Sequence, residues 1–160
     1  MPKLFGMNVS DHVYQLNKGR IQSPRRRNSA ATPAQRSEHD EQAKLFEWAE
    51  RNMQRYPDLW LLHAIPNGGH RHPAVAAKLK AEGVKSGVPD VCLPVPRGSY
   101  CGLYIEMKVG RNKPTDSQAE WLKRLADQGY MTAVCYGWVE ASEVIERYLL
   151  CRKQTGKRVS

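Results

Sequence analysis

From Ser37 onward the apolar positions recur with two periods, one helical and one alternating, and the switches between them divide the chain. Ser37 is placed to cap a helix reaching about Gln54, with Leu45, Phe46, Trp48 and Ala49 on its apolar side. Residues 59–64 form a short apolar run that suits a buried strand, and Ile65-Pro66-Asn67-Gly68-Gly69 breaks it. Helical content returns over residues 73–82 through Ala74, Ala76, Ala77 and Leu79, with Gly83 as the stop. Residues 90–95 and 101–109 read as two strands of a hairpin joined by Pro96-Arg97-Gly98-Ser99-Tyr100. Thr115-x-x-Gln118 is a capping box that opens a helix to about Gln128, carrying Trp121, Leu122, Leu125 and Ala126 at helical spacing. A strand over 130–136 and an amphipathic helix over 139–150 complete the pattern. Strands alternating with helices predict an α/β fold, a small mixed β-sheet flanked by helices.

Residues 1–36 carry no sustained period. Ser23-Pro24-Arg25-Arg26-Arg27-Asn28-Ser29 and Thr32-Pro33 are too polar to bury a core, which predicts a basic, flexible N-terminal arm. The charge follows the same division. The whole chain of 160 residues carries a formal +9, which points to a polyanionic partner, nucleic acid ahead of an anionic membrane. Seven basic residues and one acid in 1–36 give +6, four basic residues in 152–160 give +4, and the stretch between is −1. The expected organisation is a basic arm over 1–36, a folded domain over 37–151 and a basic tail over 152–160. Whether the arm grips phosphates or only aids solubility stays open at this level.

Composition excludes several classes. Hydrophobic residues at 41% and charged residues at 26% do not fit a wholly disordered chain, a collagen or a membrane bundle. No run approaches a membrane span and residues 1–10 lack a secretory core, so the expected setting is the cytoplasm, with no membrane partner. Cys92, Cys101, Cys135 and Cys151 form no C-x-x-C pair and are expected as buried free thiols. His70 and His72 are not expected to be ligands, because no cysteine pair stands at finger spacing.

The candidate chemistry lies where acids enter apolar strands. With a period of two, Leu103, Ile105 and Met107 face one way and Tyr104, Glu106 and Lys108 the other. A carboxylate embedded in such a strand needs a partner. Lys108 is one, and the hairpin brings Asp90 of Val88-Pro89-Asp90 alongside. Two acids and a lysine at a sheet end make a hard-oxygen cage for Mg2+ or Mn2+, with Asp90, Glu106 and the Met107 carbonyl as ligands and Lys108 placed to orient a bound water or stabilise developing negative charge. The alternative is a structural salt bridge between Glu106 and Lys108.

Pro89-Asp90 followed by Glu106-Met107-Lys108 resembles the signature of the PD-(D/E)XK nucleases. Ile65-Pro66-Asn67-Gly68-Gly69, Lys80-Ala81-Glu82-Gly83-Val84-Lys85-Ser86-Gly87-Val88-Pro89-Asp90 and Gly102-Leu103-Tyr104-Ile105-Glu106-Met107-Lys108, with Gln118 and Gly129-Tyr130, resemble the virus-type replication-repair nuclease (VRR-NUC) branch. The likeness runs from about Glu38 to Leu150 and has no counterpart for the arm. It implies a restriction-endonuclease-like core and a Mg2+-dependent DNA nuclease, selective for branched, flapped or junction DNA in replication or repair. Endonuclease action and a homodimer are the expected forms. The resemblance makes Asp90 and Glu106 metal ligands and Lys108 the catalytic lysine, adds a metal-binding glutamate on the first helix, matched by Glu38 with Glu41 as competitor, and a catalytic-site glutamine matched by Gln118, which also serves its capping box. A bacterial or phage-infected cell is the setting it implies. Arg71, Lys78, Lys80 and Lys85, with Asn67 and Gly68 allowing close backbone approach, are the expected DNA-binding residues. The competing reading from another class is a non-catalytic nucleic-acid-binding protein on the same fold.

Overall fold

The computed structural model describes residues 37–66 and 73–153. The chain divides into two units, Met1–Arg36 and Ser37–Ser160, and the second is the subject here. The expected arm, Asn67, Gly68, His70, Arg71, His72 and residues 154–160 lie outside the described residues.

Helix α1 (Glu38–Asn52) opens with a capping box in which the Ser37 hydroxyl accepts from the Asp40 N–H and the Asp40 carboxylate from the Ser37 N–H. A 3-10 helix (Pro57–Leu61), strand β1 (His63–Ala64), helix α2 (Pro73–Ala81) and strand β2 (Val91–Leu93) follow. Then come β3 (Leu103–Lys108), α3 (Asp116–Asp127), β4 (Met131–Tyr136) and α4 (Trp138–Leu150). The sheet order is β1-β2-β3-β4, antiparallel for the first two pairings and parallel for β3 and β4, so the mixed α/β expectation holds. Because β3 and β4 are parallel, the chain must cross over between them, and α3 is that crossover.

The sheet has two different faces. Leu103, Ile105 and Met107 of β3, with Val91, Leu93, Ala133 and Cys135 beside them, are buried in one core with Leu45 and Ala49 of α1 and Ala141, Ile145 and Tyr148 of α4. Tyr104, Glu106 and Lys108 turn to the other face, which α3 partly covers with Trp121, Leu122, Leu125 and Ala126, all only half-buried. Tyr104 and Tyr130 meet edge to face there, ring centroids 5.2 Å apart.

Residues 59–64 are not the strand that their apolarity predicts. Pro57 starts a 3-10 helix, and burial there has a period of three: Leu59 and Leu62 are inside while Trp60 and Leu61 are exposed. Only His63 and Ala64 pair with β2, at Cys92 and Val91, and the Ile65 N–H extends the ladder to the Asp90 carbonyl at 2.8 Å. β2 is likewise shorter than expected. Pro94 has no N–H to continue a ladder, and the Val95 N–H turns back onto the Leu93 carbonyl. Gly83, with φ +92°, ends the α2 segment as expected, the Val84 N–H bonding the Leu79 carbonyl and the Gly83 N–H that of Lys80.

Two of the four thiols depart from expectation. Cys92 and Cys135 are buried, but Cys101 and Cys151 are exposed, since one precedes β3 and the other follows the last turn of α4. Arg97, at the start of the expected hairpin turn, is buried. Its guanidinium donates to the Pro96 and Leu149 carbonyls and to the Asp58 carboxylate, joining the turn, the C-terminal end of α4 and the 3-10 helix. The Gly98 N–H and the Arg152 carbonyl pair at 2.9 Å, and the Tyr148 hydroxyl donates to Val95 at 2.5 Å, closing the same corner. Among the described residues no helix is long and apolar enough to cross a membrane.

Arg97→Met leaves Asp58 and two carbonyls without this donor. It is expected to destabilise the fold by roughly 2–4 kcal/mol, below the fully buried limit because Asp58 is partly solvated. Urea unfolding checks this: the midpoint should fall with the slope unchanged.

Candidate active site

Strand β3 carries its two charged residues two apart on one face, and at the β3 end of the sheet they meet three other elements. Register sets the first meeting. Val91 pairs with Ile105, so the next step of the antiparallel ladder brings Asp90 beside Glu106 and Met107. The Asp90 carboxylate accepts the Met107 N–H at 2.9 Å, taking the place of a backbone partner. The loop ahead of Asp90 is docked on α3. Gly87 has φ +82°, and a Cβ there would lie 2.9 Å from the backbone carbon of Ser117, while the Trp121 indole N–H donates to the Ser86 carbonyl. Gly87 is therefore demanded twice, by conformation and by close approach.

Glu106 is wholly buried, and its two oxygens are treated unequally. Oε1 accepts from Lys108 Nζ and from Gln118 Nε2, each at 2.5 Å. Oε2 is buried with no hydrogen-bond partner. Lys108 Nζ also donates to the Met107 carbonyl at 3.2 Å and lies 3.8 Å from the Glu38 carboxylate. Burial, followed by the repulsion of Asp90 and Glu38, outweighs the Lys108 hydrogen bond and pushes the Glu106 carboxyl up to about 7. Burial pulls the Lys108 ammonium down, but the hydrogen bond to Glu106 and the surrounding acids prevail and hold it above its ordinary value.

The two candidate glutamates of α1, Glu38 and Glu41, part company. Glu38 reaches Lys108. Glu41 is buried and accepts the Trp138 N–H at 3.0 Å, supplying from α1 the N-cap that Gly137 of α4 cannot provide. Gly137 has φ +92°, and a Cβ there would come within 2.9 Å of the Glu41 carboxylate. The Gly137 N–H in turn donates to the Lys108 carbonyl at 3.0 Å. Gln118 fills both roles open to it: its side-chain oxygen accepts the Thr115 N–H, and its nitrogen reaches Glu106.

Asp90, Glu106, Met107, Lys108, Gln118 and Glu38 are thus brought together. Lys78, Lys80 and Lys85 are exposed on and after α2, with Lys78 3.8 Å from Glu82. Sequence pattern overlooked Glu41 as a cap and Arg97 as a buried brace. The bare Gly137 at a helix start was the available signal for the first, and an arginine between apolar strands for the second.

The residues present suit a hard divalent cation. The donors are carboxylate and carbonyl oxygens, and an unpartnered oxygen of a buried carboxylate is a vacancy in the hydrogen bonding that a cation satisfies. Among the described residues no three side chains of His, Cys, Asp and Glu are grouped tightly enough to hold a metal alone, so the Met107 carbonyl or solvent must complete any coordination.

The family model for the VRR-NUC domain matches residues 31–138. A solved structure of a VRR_NUC domain protein is 32% identical, with the match covering 74% of this chain and 92% of that one at a TM-score of 0.64. No curated protein matches.

Two outcomes follow from the geometry. Glu41→Ala is expected to cost about 1–2 kcal/mol by uncapping α4, whereas Glu38→Gln, at a half-exposed site, changes stability by about 0.5 kcal/mol or less. Chemical denaturation of both variants separates them. In chelator, Glu106 binds its proton more tightly folded than unfolded, so stability should fall as pH rises between about 4.5 and 7. Glu106→Gln should flatten that part of the profile, measured as urea midpoint against pH.

Proposed function

The chain belongs to the VRR-NUC domain family, a family of nucleases, and on that footing we propose that it hydrolyses DNA phosphodiester bonds with Mg2+ or Mn2+. The carrying observation is the divided Glu106 carboxylate, one oxygen fixed by Lys108 and Gln118 and the other buried without a partner. A salt bridge kept only for stability would gain nothing from an orphaned oxygen, which costs about 1–3 kcal/mol.

In this reading Asp90, Glu106 and the Met107 carbonyl hold the cation, with Glu38 at the rim beside Lys108. When bound, the ion supplies Lewis-acid stabilisation of the phosphate and a more acidic water. The protein's own groups do the positioning. Gln118 holds the Glu106 carboxylate in one rotamer, so Oε2 keeps its direction before any ligand arrives. Asp90 is tied to the β3 backbone and, through Gly87, to α3, so the two acids move as one unit. Lys108 keeps its proton on Nζ, where it can orient an attacking water and balance charge on the phosphate. Lys78, Lys80 and Lys85 are sited to take phosphates further along the strand, each adding a salt-dependent contact. A preference for branched or junction DNA and an endonucleolytic cut belong to the same proposal.

Linear, flapped and four-way DNA, each with Mg2+, Mn2+ or EDTA, test it. Cleavage should require the metal and fall about 100-fold or more in Asp90→Asn, Glu106→Gln and Lys108→Met, with DNA affinity within a few-fold of the parent. Turnover that survives Glu106→Gln would sink the site. Tight DNA binding with no cleavage under any condition would favour a binding module instead.

A further inference from the structure

The chain leaves β3 at Lys108 and enters α3 just before Gln118, and both of these residues touch the same Glu106 oxygen. The connecting loop therefore begins and ends beside the acid cluster. It turns at Gly110, φ +60°, with the Asn112 N–H on the Val109 carbonyl, and presents Arg111 and Lys113 to solvent. Neither has a carboxylate partner among the described residues, and the acid nearest in sequence is the exposed Asp116.

A second observation comes from the neighbouring strand. Lys108 pairs in register with Tyr136, the last residue of β4. Partners in a parallel pair point the same way, so Tyr136 shares the face of Glu106 and Lys108. Tyr136 is 45% exposed, an uncommon position for a large aromatic at the end of a strand that is otherwise buried or half-buried. The Tyr136 N–H is anchored on the Glu140 carboxylate at 2.9 Å, which fixes the backbone that carries the ring.

We propose that Arg111, Lys113 and Tyr136 form a nucleotide-holding rim, the two cations taking phosphates and the Tyr136 ring stacking one unpaired base next to the acid cluster. This rests on the nuclease reading for its substrate, but it concerns binding and is separable from catalysis. An aromatic face accepts any base, because every base has a π-face, and cations beside it hold the connecting phosphates. A base paired in a duplex is already stacked and gains little from the ring. The rim therefore favours DNA with an unpaired nucleotide at this point over continuous duplex.

The test uses the full chain in EDTA, so that no cleavage intervenes, with a 2-aminopurine oligonucleotide as the probe, single-stranded or annealed to its complement. Tyr136→Ala should weaken single-strand binding about tenfold and remove the quenching of 2-aminopurine, while duplex binding stays within about twofold. Tyr136→Phe should keep both signals, and Trp60→Ala, an exposed aromatic beyond the far end of the 15-residue α1, should change neither. Should Tyr136→Ala melt earlier than the parent, Tyr136→Leu replaces it. Arg111→Ala and Lys113→Ala should each make the salt dependence of single-strand binding shallower by about 0.7 in log–log slope. Unchanged single-strand affinity in Tyr136→Ala or Tyr136→Leu, or equal losses on single strand and duplex, overturns the stacking role. Unchanged salt slopes overturn the phosphate role. The nuclease reading is scored separately: if Glu106→Gln abolishes cleavage while Tyr136 variants bind normally, only the rim fails. If nothing cleaves but the Tyr136 dependence holds, only the nuclease reading fails.

Discussion

A wholly buried carboxylate in the middle of a sheet is the constraint around which this domain is arranged. Glu106 cannot be solvated, so the fold must supply its partners, and it draws them from different elements. Lys108 comes from the same strand and Gln118 from the crossover helix, while Asp90 approaches from the adjoining strand end as a like charge bonded to the Met107 N–H. Each of these three residues is held by something else. Gln118 is locked by the capping box of α3, Asp90 by the ladder and the Gly87 approach, and Lys108 by the Gly137 N–H on its carbonyl and by Glu38. Even so the carboxylate is only half satisfied, and its raised affinity for a proton measures that shortfall. A protein selected for stability alone would replace such a group with an apolar one of like volume. Its presence is the observation on which the proposed metal site rests.

The opposite side of the sheet carries the load that the site does not. Leucine, isoleucine, valine and methionine side chains from β2, β3 and β4 pack on α1 and α4 there. Two buried polar devices then fix how those helices sit. Glu41 of α1 caps α4 at its start, and Arg97 ties the other end of α4 to the 3-10 helix. Through Gly137 the first device also reaches the backbone of Lys108, so packing on the core side sets the position of a group on the site side.

Charge played a smaller part than the formal +9 suggests. The described residues of the domain are close to neutral in composition. Lys108 is the cation within the acid cluster, and exposed cations stand on and after α2 and on the β3–α3 loop.

Much of this was legible in the chain alone. Helix boundaries with a cap at Ser37 and a capping box at Thr115, glycine stops, the period of two in β3 and the intrusion of Glu106 and Lys108 into an apolar strand are all local facts, governed by backbone propensities that a sequence displays. The pairing of Asp90 with Glu106 was also within reach, because a hairpin's register follows from its turn. The run 59–64 misled, since apolarity does not separate a strand from a 3-10 helix and only Pro57 and a period-three burial decide it. Glu38 and Glu41 are three apart on one helix and equivalent by any local measure. Only the placement of α4 separated them, because Gly137 leaves a helix start without a cap and Glu41 lies within reach of it. The orphaned Glu106 oxygen, the buried Arg97 and the shared face of Lys108 and Tyr136 belong to the same class. Each depends on a distance between segments far apart in the chain, set by how whole elements pack, and local pattern does not encode such distances.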